Sequence, residues 1–194
     1  MNTQKDRFIQ DGFGKILWLD IVNSEHYDGF GNLTDHLQDD EWLRTLLAHY
    51  QFTAVSEEPL RRELEPFRTC LRHIAQTLGR NGALAREDID TLNSYLAEPG
   101  IRTLHNSPEQ EKYTLTFQPV QPGWRWVLAE TVFSLADMLD PARQKRVKIC
   151  PNPGCNWVFF DVTKGNSRRW CNDLTCGNRD KVRRFRARQK APQS

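Results

Sequence analysis

The chain has 194 residues, of which 38% are hydrophobic, 27% charged and 10% aromatic, too apolar a mixture for a disordered chain and too polar for a membrane protein. No run reaches the roughly 18 uninterrupted apolar residues of a bilayer span, and the opening stretch MNTQKDRFIQDGFGKILWLD has acids among its bases and no apolar core of signal-peptide length. Net charge is only +2, yet residues 1–140 carry 13 Lys+Arg against 22 Asp+Glu while residues 141–194 carry 14 against 3, an acidic body followed by a basic arm suited to a polyanion.

In chain order, the first apolar segment is Ile16 to Asn23. It is too short and too apolar to assign by period, and reads as a buried strand or a turn of helix. Asp39 or Asp40 is suited to cap a helix through Trp42, Leu43, Leu46, Leu47 and Tyr50. Leu60, Leu64, Phe67, Leu71, Ile74 and Leu78 advance by alternating fours and threes, an apolar stripe along one helix face. Ser56 before Pro59 supplies its start and Asn81-Gly82 its stop. Pro66 interrupts the pattern, which predicts a kink or two abutting helices. A further helix runs through Ile89, Leu92, Tyr95 and Leu96 to Pro99-Gly100.

Residues 101–106 and 112–118 alternate in strand fashion about a Ser-Pro-Glu-Gln turn and predict a hairpin. Pro122 then opens a helix expected to turn Trp126, Ala129, Val132, Phe133, Ala136 and Leu139 inward, closed by Pro141. The reading is a mainly α domain over 1–140 with one small β-hairpin, followed by a separate module over 141–194.

That module holds four of the five cysteines, in the spacing C-x4-C-x15-C-x4-C: Cys150, Cys155, Cys171 and Cys176. Clustered thiols in an intracellular chain favour metal over disulfides, and four thiolates suit a tetrahedral zinc ion. Pro151, Pro153 and Gly154 supply turn chemistry within the first pair. Between the pairs, residues 157–161 and 167–170 flank Lys164-Gly165-Asn166 and read as a hairpin; Trp157, Phe159 and Trp170 are its expected core. Knuckle, hairpin, knuckle and helix describe a treble-clef-like zinc finger. Four cysteines close the coordination shell, and all five histidines precede the module, so the metal is expected to be structural rather than catalytic.

From Arg179 to Lys190 seven of twelve residues are Lys or Arg. On a helix, Arg179, Arg183, Arg186 and Lys190 form one cationic row. Lys181, Arg184 and Arg188 widen it, Arg168 and Arg169 are expected to extend it, and Val182 and Phe185 are placed to pack back on the hairpin. Guanidinium groups clamp phosphates and read guanine edges, which makes nucleic acid the expected partner. Docking on the acidic body and an anionic membrane surface are the alternatives, and the small apolar face disfavours membrane insertion.

The stretch from Cys150 to Arg188 resembles the CGNR zinc finger, Cys176-Gly177-Asn178-Arg179 matching its signature tetrad, with Phe160 to Thr163 and Arg168 to Cys171 also similar. The segment WLDIVNS from Trp18 to Ser24 is similar to the opening of the ABATE domain found in front of that finger. The resemblance implies a bacterial transcription regulator, often described as stress-induced, with Cys150, Cys155, Cys171 and Cys176 as ligands, Asn178 and Arg179 as signature positions and the finger as DNA reader. Asn172, Asp173 and Thr175 are the candidate caps for the helix that follows, and Asp173 departs from the small or apolar residue expected there, as a helix cap or as a weakening of phosphate binding.

The leading expectation is therefore a DNA-binding regulator in the cytoplasm, associated with the nucleoid. An RNA-binding accessory protein and a zinc-dependent protein-interaction module are the alternatives. Asp20 and Asn23, with Glu25, are candidates for lining a small-molecule site, against the commoner role of such residues in caps and turns; an effector or a second copy of the chain would be further partners. With no G-x-S-x-G, P-loop or G-x-G-x-x-G in the sequence, no enzyme is expected.

Overall fold

A computed structural model describes residues 16–80, 82–107 and 112–190. About half of these are helical, and the strands form three separate two-stranded antiparallel sheets. The short apolar segment resolves into a helix, α1 (Leu17–Val22), with Leu17, Trp18, Ile21 and Val22 buried. β1 (Glu25–Tyr27) and β2 (Leu33–Asp35) follow as a small hairpin. α2 (Asp40–His49) is capped by Asp39, whose carboxylate accepts from the backbone N–H groups of Glu41 (3.0 Å) and Trp42 (3.2 Å).

The apolar stripe forms α3 (Glu57–Gly79), one helix through Pro66 rather than two abutting ones. Proline removes a single backbone donor, whereas Leu60, Leu64, Phe67, Leu71, Ile74 and Leu78, all essentially inaccessible, hold both halves to one core. Ser56 occupies the N-cap position without a side-chain cap bond, and Asn81 lies outside the described residues. α4 (Arg86–Leu96) starts where the Asp88 carboxylate accepts from Ala85 N–H at 3.1 Å. β3 (Gly100–Ser107) and β4 (Lys112–Pro119) pair in register from Gly100 opposite Pro119 to Ser107 opposite Lys112; the turn itself lies outside the described residues.

α5 (Trp124–Ala136) buries Trp126, Ala129 and Val132 as expected, together with Val127, Leu128, Thr131 and Leu135. Phe133, placed inward by periodicity, is 64% exposed, Ala136 is exposed and Leu139 only partly buried. The helix is apolar on most of its circumference, so period alone does not select the face that packs. Pro141 begins a short α6 (Pro141–Gln144) capped by Asp140. β5 (Val147–Ile149) and β6 (Val158–Phe160) then pair antiparallel. Val147 and Val158 belong to the same buried cluster as α1 to α5, so the cysteine module's strands complete the body's core. α7 (Asn178–Lys190) closes the described chain. No helix among the described residues is long and apolar enough to cross a membrane.

Candidate metal centre and basic helix

The first knuckle is the turn of the β5–β6 hairpin. Cys150 N–H donates to the Trp157 carbonyl at 2.9 Å, and Cys155 N–H to the Asn152 carbonyl at 2.8 Å, folding the residues between into a tight loop that Pro151 and Pro153 pre-bend. The second knuckle is capped by Asn172, whose side chain accepts from Thr175 N–H at 3.0 Å, and winds through a single wide turn, Asp173–Gly177, before α7 begins. Of the three candidate caps, Asn172 takes the role.

All four sulfurs lie within 4.8 Å of one another and all four residues are buried. Cys155 and Cys171 are 3.8 Å apart, and Cys171 and Cys176 3.7 Å. A tetrahedral zinc ion with bonds of about 2.3 Å places its sulfurs about 3.8 Å apart. The four-cysteine cluster is therefore a structural zinc site with a filled shell. Four buried thiols this close together compete for protons, each neighbour opposing a second negative charge. A dication removes this competition by taking all four as thiolates. Trp157, Phe159 and Trp170 pack with the cysteines in a core of their own, as expected. The Asn152 amide donates to Cys176 Sγ at 3.4 Å, orienting a ligand from outside the shell.

The hairpin expected between the cysteine pairs is displaced: β6 pairs with β5, and residues 167–170 form no strand. The cause is Asp161, fully inaccessible, which gathers the intervening loop around its carboxylate. It accepts from Lys148 Nζ (2.6 Å), Thr163 N–H (2.9 Å), Thr163 Oγ1 (2.6 Å) and Arg168 N–H (2.8 Å). Burial by itself would raise this carboxyl, but the Lys148 ammonium and the donors from Thr163 and Arg168 outweigh it and hold it down to about 2.

The structure divides the basic residues into two sets. Lys181, Arg183, Arg184, Arg186 and Arg188 are exposed along α7, as is Arg169 before it. Asp180, 5% exposed, pairs with Arg183 at 2.5 Å and with Arg184; Lys190 is helical. Val182 and Phe185, expected to pack inward, are 47% and 56% exposed. The second set faces inward. Arg168 donates to the carbonyls of Trp170 (3.0 Å) and Cys171 and lies over the Phe159 ring at 4.8 Å, bracing the second knuckle. Asn178, a signature position outside both sets, is exposed, and its amide donates to the Leu174 carbonyl at 3.0 Å.

Arg179 reaches back to the body. It donates to the Asp28 carbonyl at 2.7 Å and stacks over Phe30 at 3.7 Å, in the turn between β1 and β2. Gly29 there has φ +87, and a Cβ on it would collide with the guanidinium; a Cβ on Gly154 would meet the Gly29 carbonyl oxygen at 2.9 Å. Only glycine at both places lets the turn and the first knuckle touch. The sequence hint was the pair Gly29 and Gly31 flanking Phe30, which signals a turn but not its partner.

Asn23 and Asp20 are likewise engaged within the protein. The Asn23 amide donates to the Val158 carbonyl and accepts from Val158 N–H, both at 2.8 Å, acting as a strand partner for β6. Asp20 accepts from the Tyr50 hydroxyl; burial pushes its carboxyl up to about 7 against that bond. Glu25 pairs with Arg68, and Arg68 holds Asp35 with two bonds of 2.6 and 2.8 Å. One turn on, Arg72 donates to the carbonyls of Asn156 (2.6 Å), Glu25 (2.8 Å) and Val22. Sequence reading missed these two arginines, which look like solvated helix charges until the loops above them are placed.

Arg179→Ala removes a charged hydrogen bond and a cation–π contact, and is expected to cost roughly 1–3 kcal/mol in finger docking. Limited proteolysis should then cut more readily between the body and α7 while zinc stays bound; an unchanged cleavage rate would show that this contact holds nothing.

Against families of known proteins, residues 146–189 match the CGNR zinc finger. Residues 16–140 match a family designated ABATE and described as "Putative stress-induced transcription regulator". No curated protein matches the chain.

Proposed function

The chain belongs to the ABATE family and carries a CGNR zinc finger; from that premise we propose that it is a non-catalytic, DNA-binding transcription regulator of the bacterial nucleoid, active under stress. Zinc stiffens the second knuckle, the knuckle launches α7, and α7 offers its cations to phosphates. The observation that carries this reading is the exposed charge of α7. Lys181, Arg186 and Arg188 are exposed with no ion pair among the described residues, on a chain whose acids are concentrated in residues 1–140. Five exposed cations on one short helix, two of them shared with Asp180, repel each other in the free protein, and a polyanion relieves that repulsion.

Fluorescence anisotropy with a labelled DNA duplex, repeated over a range of salt, tests it. Each phosphate contact contributes about 0.9 to the slope of log affinity against log salt. Arg186→Ala with Arg188→Ala should therefore lower the slope by about two and leave zinc content unchanged. An unchanged slope would remove α7 from the contact surface. Equal affinity for an RNA duplex would assign the surface to RNA instead.

A second reading has its own observation. Leu174, Val182 and Phe185 are 81%, 47% and 56% exposed on the finger, apolar surface that a protein partner would cover. Under that reading, Phe185→Ala leaves DNA affinity intact and abolishes capture of a partner.

A further inference from the structure

An open cleft of about 1040 Å3 lies between α5, the β3–β4 hairpin, the loop after α2 and the end of β6. Its walls are aromatic to an unusual degree: Tyr50, Phe52, Phe117, Trp126, Phe133 and Phe160 all line it. Phe117 and Trp126 meet edge to face at 5.1 Å, and Tyr50 and Phe52 lie 6.4 Å apart. Phe133, the residue that periodicity placed in the core, is exposed on this cleft.

Glu130 sits on α5 between Trp126 and Phe133, one turn from each, and also lines the cleft. It is partly buried, and no hydrogen bond or ion pair engages it among the described residues. Burial, with nothing to offset it, pushes its carboxyl above the usual range. The other charged side chains of the lining, Asp137 and Arg143, pair with each other. Among the described residues the cleft therefore presents one uncompensated carboxylate beside aromatic rings, of which Phe117 already carries the Arg102 guanidinium over it at 5.0 Å. Ring faces are negative, so both features attract a cation, an anion is repelled, and a neutral molecule gains only apolar contact. Asp20 and Asn23, the earlier candidates for a small-molecule site, are not part of this lining.

We propose that this cleft binds a small organic cation, with its ammonium group beside Glu130 and its apolar body against Trp126, Phe117 and Phe133. The site goes beyond the nucleic-acid reading and does not depend on it. Phe160, the last residue of β6, places the finger's own hairpin in contact with the occupant.

Calorimetric titration of the full chain with four probes of similar shape tests this: phenethylamine, its N-trimethyl analogue, phenethyl alcohol and hydrocinnamate. The two cations are expected to bind at least about tenfold tighter than the alcohol, and hydrocinnamate more weakly than either. Glu130→Gln should bring the cations to the alcohol's affinity, leaving the alcohol's own affinity and the zinc content unchanged and the melting temperature no lower. The proposal is overturned if the alcohol binds as tightly as the amine, if the variant keeps the preference, or if no probe binds. Should the variant fail to fold, the ratio of amine to alcohol on the unaltered chain decides alone.

Discussion

Cys171→Ser is expected to take the protein from one zinc ion per chain to none and to unfold the distal half of the finger. Cys171 stands 3.8 Å from Cys155 and 3.7 Å from Cys176, so its loss opens the tetrahedron at a sulfur close to two others. A structural zinc ion in such a module supplies on the order of 10–16 kcal/mol of apparent folding free energy, far more than the small core of Trp157, Phe159 and Trp170 can replace. The unfolding has a boundary. Val147 and Val158 sit in the body's core and Asn23 holds Val158 by two bonds, so β5 and β6 should persist while residues 161–190 lose amide protection. Metal analysis with hydrogen exchange resolved by segment measures both. Retention of a full equivalent of zinc by the variant would refute the ligand assignment.

Asp161→Ala is the second large effect. The carboxylate is fully buried and collects Lys148, Thr163 and the Arg168 backbone. Removing one partner of a buried charged network costs about 3–5 kcal/mol, because the others keep their desolvation and lose their acceptor. Lys148 is cushioned in part, since its ammonium also donates to the carbonyls of Asn166 and Arg168 at 2.8 Å each. Asp161→Asn preserves the shape and should cost less than Asp161→Ala. Thermal melting of the zinc-loaded protein compares the two, and equal stability of Asp161→Ala and the parent chain would show that the loop is held by zinc alone.

These effects bear on how far the sequence could be read. The cysteine spacing, the Asp39 cap and the stripe from Leu60 to Leu78 were legible because each rests on a local rule: a turn, a cap, a period. Phe133 was misplaced because α5 is apolar nearly all round, and nothing local separates the face toward α1 and α4 from the face toward the cleft. The hairpin between the cysteine pairs was misplaced because residues 157–160 are a β-prone apolar run followed closely by the turn residues Lys164-Gly165-Asn166, while their true partner, Val147–Ile149, lies across the first knuckle.

The basic surface was half legible. Charge count along α7 marks a strongly cationic helix whatever the fold, and that run is exposed through Arg188. It cannot distinguish Arg179 and Arg168 from Arg186 and Arg188, because an arginine's role depends on which carbonyls and rings lie within its reach.

What the amino-acid order decided alone was the chemistry that acts over a few residues: a four-sulfur zinc ligand set, the capped helices and an unbalanced positive arm. Tertiary structure decided everything requiring two distant segments to meet. It set Asn23 against Val158, Arg179 against Asp28 and Phe30, and Glu130 among aromatic rings with no partner among the described residues. Ligand spacing and helical period are properties of the local backbone, whereas burial and hydrogen-bond partners exist only once the chain has closed on itself.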